Sequence, residues 1–102
     1  MPEFVRVAKE SELPAGAAKE VELQGRVVAL FNVGGRIHAI DGTCPHAGGP
    51  LSEGELNGTT VTCPWHGWQF DVTTGRNAYN ASCVQKSYEV KVEGGEILLS
   101  MP

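Results

Sequence analysis

The amino-acid sequence predicts an all-β, antiparallel fold, and two observations support that prediction. Turn signals recur along the chain, with NVGGR at 32–36, LNGTT at 56–60 and EGGE at 93–96 each placing glycine or Asn-Gly beside alternating apolar and polar residues. This is the pattern of β-hairpins. Helical signals are also nearly absent, since a Ser followed by acidic residues in KESELPAG, at 9–16, indicates only a single helical turn.

The alternation predicts eight strands, taken in chain order. We place them near 3–7, 19–24, 26–33, 36–40, 59–63, 69–72, 87–93 and 96–100. Residues 41–54 and 63–68 interrupt this pattern with Gly, Pro, Cys and His, and such loops are where functional sites are held on a rigid scaffold. No repeat, linker or low-complexity tract appears, so we expect one domain over 1–102.

Composition excludes several classes of function. The net charge is −4, with eight Lys and Arg against twelve Asp and Glu, which argues against a nucleic-acid partner held through phosphates. No apolar run approaches the ~18 residues of a membrane span, and the first residues, MPEFVRVAKE, lack the pattern of a signal peptide. We therefore expect a cytoplasmic protein whose three cysteines stay reduced and available as ligands.

The two interrupted loops carry the same pair of residue types. Cys44-x-His46 is followed, after sixteen residues, by Cys63-x-x-His66, which uses two of three cysteines and two of three histidines. A lone Cys or His is usually a core or surface residue, but matched pairs in two loops favour a metal site. A structural zinc site is one alternative. Because each loop supplies one thiol and one imidazole, a binuclear iron–sulfur cluster fits the division better.

These motifs resemble the Rieske 2Fe-2S family. C-P-H-A-G-G-P-L and C-P-W-H-G-W-Q-F-D have that family's spacing, and the Gly-Gly hairpin and FDVTTG around them extend the likeness over most of the chain. The resemblance implies a Rieske-like antiparallel β-sandwich with a small cluster-binding subdomain of two ligand loops, at approximately 42–70. It also implies one 2Fe-2S cluster, with Cys44 and Cys63 on one iron and His46 and His66 on the other.

The function implied is one-electron transfer, not catalysis. The only histidine left over is His38, so the chain has no ligands for a mononuclear iron at a substrate site. The chain resembles the ferredoxin component of a multicomponent oxygenase, taking electrons from a flavin-containing NAD(P)H-dependent reductase and passing them to a terminal oxygenase. The small subunit of an assimilatory nitrite reductase is a second alternative. We expect a monomer, since a shuttle must present its cluster to both partners.

Four further residues carry expectations. One of Trp65 and Trp68 is expected to shield the cluster, and His38 to face solvent from its strand. Cys83 lies where the family usually has a proline-containing third loop, and the chain has no proline between 65 and 101. We interpret Cys83 as a free, partly buried thiol.

Overall fold

Three antiparallel sheets build the structure, a computed structural model that describes residues 3–43, 50–64, 67–77 and 85–100. The all-β prediction is confirmed, and the described residues contain these strands: β1 (Phe4–Lys9), β2 (Ala18–Leu23), β3 (Arg26–Val33), β4 (Arg36–Asp41), β5 (Glu55–Asn57), β6 (Thr60–Thr62), β7 (Gln69–Asp71), β8 (Ser87–Tyr88), β9 (Val90–Glu93) and β10 (Glu96–Ser100). We call β1-β10-β9 the outer sheet, β2-β3-β4-β8 the central sheet and β5-β6-β7 the small sheet.

The middle of the central sheet, at β3 and β4, is buried on both faces. In β3, Val28 and Leu30 lie in one apolar cluster with Ile97 and Leu99 of the outer sheet. Their neighbours along β3 belong to a second cluster, whose buried members are Ala29, Phe31, Ile40, Leu51, Val61, Cys63, Phe70 and Val72. A strand covered on both faces loses its polar alternation, which explains the buried apolar run VALF at 28–31 in β3. The small sheet therefore packs on the face opposite the outer sheet.

The three predicted hairpins are confirmed. In the β3–β4 turn the register pairs Val33 with Arg36, and Gly34 and Gly35 have φ angles of 60° and 97°. Two successive positive φ angles match the right-handed twist of the flanking strands, and glycine adopts them at the least cost. The turns between β5 and β6 and between β9 and β10 also join strands paired in register.

The structure differs from the predicted elements at two strands. The prediction of one continuous strand over 87–93 was wrong, because β8 pairs with β4 of the central sheet whereas β9 pairs with β10 of the outer sheet. The chain changes sheet at Glu89, and alternation looks the same on either side of that change. The three-residue strand β5 was also not predicted, although the turn after it was.

Helical structure is short. The turn predicted within 9–16 is a 3-10 helix over Glu10–Glu12, and a second, unpredicted 3-10 helix covers Leu51–Glu53. In the parts of the chain that the structure describes, no helix has the length and apolar character needed to cross a membrane.

Candidate metal centre

Of the four predicted ligands, Cys63 alone lies within the described residues. Cys44 and His46 fall in 44–49, and His66 falls in 65–66, so these three lie outside them. Among the residues that are described, no three His, Cys, Asp or Glu side chains come together to hold a metal ion. The ligand set stays a prediction, and the geometry that bears on it is that of the residues flanking the two loops.

The residues that flank the first loop meet. Thr43 and Pro50, on either side of 44–49, form an isolated antiparallel β-bridge. One residue further out, the Leu51 amide donates a hydrogen bond to the Gly42 carbonyl oxygen at 2.8 Å. The first loop therefore begins and ends at neighbouring positions at the end of β4.

The second loop is closed by the small sheet. Thr62 and Gln69 are the last register pair of β6 and β7. Beyond them, the Cys63 amide donates a hydrogen bond to the Trp68 carbonyl oxygen at 2.7 Å. Gly67, just before Trp68, has a φ angle of 71°, and a Cβ there would meet none of the described residues within 4 Å. The second loop is thus the tip of the β6–β7 hairpin, with Cys63 as its first residue.

The Cys63 side chain lies in the apolar core under the small sheet. The residue is only 2% exposed, and it belongs to the same buried cluster as Leu51 and Phe70. Trp68 packs against that cluster, with its ring centroid 6.5 Å from that of Phe70 at an interplanar angle of 40°. Trp65 lies outside the described residues, so the predicted shielding by one tryptophan stays a prediction. Leu51 follows the first loop and Cys63 begins the second, so both loops are flanked by residues of the same apolar cluster.

A third segment, 78–84, lies between two anchored ends. Before it, Asn77 forms an isolated antiparallel bridge with Phe70 of β7. After it, the Gln85 amide donates a hydrogen bond to the Gly75 carbonyl oxygen at 2.7 Å. Gly75 has a φ angle of 82°, and a Cβ there would overlap the Gln85 carbonyl oxygen. The segment's ends are therefore tied to the turn after β7. Cys83 falls inside it, outside the described residues, and its interpretation as a free thiol stays a prediction.

A polar cluster joins the end of that segment to the base of the first loop. The Gln85 side-chain Nε2 donates hydrogen bonds to the carbonyl oxygens of Thr43 at 2.5 Å and Asp41 at 3.2 Å. The Tyr88 hydroxyl donates to Asp41 Oδ1 at 2.7 Å. Burial of the hydroxyl, as the main cause, and this hydrogen bond, as the second, raise the pKa of Tyr88 to about 12. The sequence could not predict these contacts, because Gln85 lies outside the segments whose alternation predicts a strand.

His38 is half-buried, so the prediction that it faces solvent was wrong. It pairs with Phe31 of β3 and alternates with Ile37 and Ala39, which puts it on the face of β4 that carries the small sheet. Burial is the main reason that the pKa of His38 lies below its usual value. The Arg36 charge lowers that pKa further, and Asp71 opposes the change.

The described part of the site fits an iron–sulfur cluster. Cysteine thiolates are the ligands that hold such clusters, and they are tuned by hydrogen bonds to sulfur and by exclusion of water. Cys63 offers a sulfur ligand at the first position of a closed loop, and the residue is buried away from water. Together with one further thiol and two imidazoles from the loops, that donor set would suit a mixed-ligand cluster.

Comparisons with known proteins agree with this chemistry. A family model described as "Rieske [2Fe-2S] domain" matches residues 3–96. The ferredoxin component of the naphthalene 1,2-dioxygenase system of Pseudomonas aeruginosa is 39% identical over 92 residues, which covers 88% of each chain. The ferredoxin of carbazole 1,9a-dioxygenase from Nocardioides aromaticivorans IC177 superposes with a TM-score of 0.87 at 32% identity, covering 100% of this chain and 99% of that one. A chain from a complex of reduced oxygenase and oxidised ferredoxin in carbazole 1,9a-dioxygenase gives a TM-score of 0.84 at 33% identity, with 95% and 92% covered.

Proposed function

This chain belongs to the Rieske [2Fe-2S] domain family, and from that premise we propose that it delivers single electrons to the terminal oxygenase of a multicomponent oxygenase. Like these relatives, which are named as ferredoxins, it is an electron carrier and not a catalytic subunit. The observation that carries the proposal is the likeness, over nearly the full length of both chains, to ferredoxins named as components of dioxygenase systems. These relatives do not favour the nitrite reductase subunit or the zinc module.

The proposal extends to the four ligands. Cys44 and Cys63 would hold one iron, and His46 and His66 the other. Cys63 supports this set, since its thiol is buried on the core that carries both loops. When bound, the cluster supplies one-electron chemistry at a potential raised by its histidine ligands, about −150 to +300 mV. The chain's own contribution is to hold the two loops together and to keep water from the Cys63 sulfur.

The donor and the setting are further parts of the proposal. A relative named as one component of a dioxygenase "system" implies other components, and a flavin-containing NAD(P)H-dependent reductase would fill the place of donor. We propose that the chain acts as a monomer, because a carrier must present one surface first to its donor and then to its acceptor. A donor that oxidises NAD(P)H would place this exchange in the cytoplasm.

An EPR spectrum of the dithionite-reduced protein, with an iron and acid-labile sulfide assay, tests the cluster. We expect a rhombic signal whose average g lies below the free-electron value, and the two irons and two sulfides of a 2Fe-2S cluster. Reconstitution with a flavin reductase, a terminal oxygenase and its aromatic substrate then tests the role as carrier. Product formation that needs this chain supports the proposal. A colourless protein containing zinc would overturn it.

The histidine ligands are tested separately by His66→Cys. Exchanging a neutral imidazole for a thiolate adds negative charge to the cluster, so accepting an electron becomes less favourable. If the cluster is retained, its potential should move down toward the about −400 mV of all-cysteine plant-type ferredoxins. Protein-film voltammetry would measure the shift, and an unchanged or raised potential would exclude His66 as a ligand.

A further inference from the structure

We infer that Gln85 is a positioning residue, whose side-chain amide fixes the base of the first ligand loop. The inference rests on the proposed function, because it gives Gln85 a purpose through the ligands Cys44 and His46. It starts from the burial of a polar side chain, since Gln85 is only 6% exposed. A buried amide must find hydrogen-bond partners or destabilise the fold, so its partners are informative.

The direction of the Gln85 amide is determined by those partners. Both are backbone carbonyl oxygens, at Thr43 and Asp41, and a carbonyl can only accept. The group that faces them must therefore be the NH₂ of the amide, which has two hydrogens to donate. The 2.5 Å contact makes Thr43 the nearer partner, and Asp41, at 3.2 Å, the weaker one.

The position of the Thr43 carbonyl oxygen affects how the backbone leads into the first ligand loop. It belongs to the peptide unit that joins Thr43 to Cys44, and the atoms of a peptide unit are coplanar. A hydrogen bond that holds this oxygen limits the orientation of that plane. It therefore restricts how the chain enters the first ligand loop.

Gln85 is itself held firmly enough to act as an anchor. Its backbone amide is bonded to Gly75, and the next residue's carbonyl, at Lys86, accepts a hydrogen bond from the Asp41 amide at 2.8 Å. The chain then continues into β8, which pairs with β4. The Gln85 side chain thus extends the contacts between β8 and β4 past the end of both strands, to Thr43. One residue connects the turn after the small sheet with the base of the first loop.

The main test is Gln85→Met in the cluster-loaded protein. Methionine has a similar length and is apolar, but it has no donor, so both carbonyls lose their hydrogen bond from Gln85. Removing these hydrogen bonds makes the closed form of the loop base less favourable, so the base should open more often. We expect the cluster to be lost to an iron chelator about tenfold faster than in the wild type. We also expect a broader EPR signal from the reduced, folded protein. A role in stability alone would not broaden that signal.

Controls separate this effect from others. Gln24→Met makes the same change at an exposed residue of the β2–β3 turn and should leave the rate and the spectrum unchanged. If Gln85→Met does not fold, Gln85→Asn is the milder variant, since it keeps the amide but withdraws it by one methylene. Its cluster should be lost severalfold faster than in the wild type.

The outcomes are distinct. Wild-type rates and spectra in both Gln85 variants would overturn the inference while leaving the proposed function intact. An acceleration matched by an equal loss of global stability, with no spectral change, would also overturn it. Wild-type protein without iron and acid-labile sulfide would instead overturn the proposed function.

Discussion

The two faces of the central sheet are packed for different purposes. On one face, β3 and β4 meet the outer sheet through an apolar cluster that includes Val28, Leu30, Ile97 and Leu99. The outer strands are four to six residues long. On the other face the partner strands have only three residues each, and the core includes the thiol of Cys63. The comparison indicates that the outer face supplies stability and the small-sheet face holds the site.

Short strands also open more readily. Each of the two strand pairings in the small sheet has a register of only three residue pairs, so few hydrogen bonds separate its closed and open forms. The proposed ligand Cys63 is protected there by the core around it.

Cys63→Ala should abolish cluster binding and leave the fold intact. Without this ligand we expect the iron content to fall from the two atoms of a 2Fe-2S cluster to nearly none. The missing sulfur leaves a small cavity that costs only about 1–2 kcal/mol, so the strands should remain. Iron analysis and far-UV circular dichroism would measure both. Cys83→Ser is the control and should keep its iron, while a loaded Cys63→Ala protein would exclude Cys63 as a ligand.

Phe70→Ala and Leu99→Ala compare the two faces directly. Both side chains are fully buried, and such truncations cost about 3–5 and 2–5 kcal/mol respectively. Calorimetry should show a similar fall in melting temperature for both variants. Well below melting, we expect faster loss of the cluster to a chelator only in Phe70→Ala, because Phe70 shares its core with Cys63. Equal rates in the two variants would contradict the division between the faces.

Gly75→Ala should destabilise the protein more than Gly95→Ala. Both glycines have positive φ angles, 82° and 80°, which cost alanine of order 1 kcal/mol. A Cβ at Gly95 meets open space, whereas one at Gly75 overlaps the Gln85 carbonyl oxygen and forces the backbone apart. That displacement should add about 1–3 kcal/mol. Urea unfolding of the two variants would measure the difference in their free energies of unfolding. Equal free energies would show that the backbone at Gly75 can move to accept a Cβ at no cost.

His38 should make stability depend weakly on pH. Its pKa in the folded protein lies below the usual value of 6.5, chiefly through burial, so the unfolded chain binds the proton first as the pH falls. Stability should therefore be lost as the pH falls from about 6.5 toward the folded-state pKa, and be fully present above that range. Thermal melts between pH 5.5 and 7.5 should show a shallower slope for His38→Gln than for the wild type. Identical slopes would mean that His38 does not contribute.

Local patterns predicted the hairpins and most strands because alternation and turn chemistry are properties of neighbouring residues. They could not predict that the chain changes sheet at Glu89, since both halves of 87–93 alternate alike. His38 was misjudged for a related reason, because its burial depends on the small sheet that packs over β4. The four ligands stay a proposal that rests on spacing and resemblance. The contact of Gln85 with Thr43 spans 42 positions and follows from topology alone.

The pairing of β1 with β10 has a practical consequence. Phe4 and Ser100 are register partners, so both ends of the described chain leave side by side from the outer sheet. The central sheet stands between that sheet and the core that carries Cys63. An electrode linker or a fused reductase attached at either end would therefore start on the side of the central sheet away from Cys63. A short peptide joining the two ends would also permit circular permutation, with new termini opened at the Gly34–Gly35 turn.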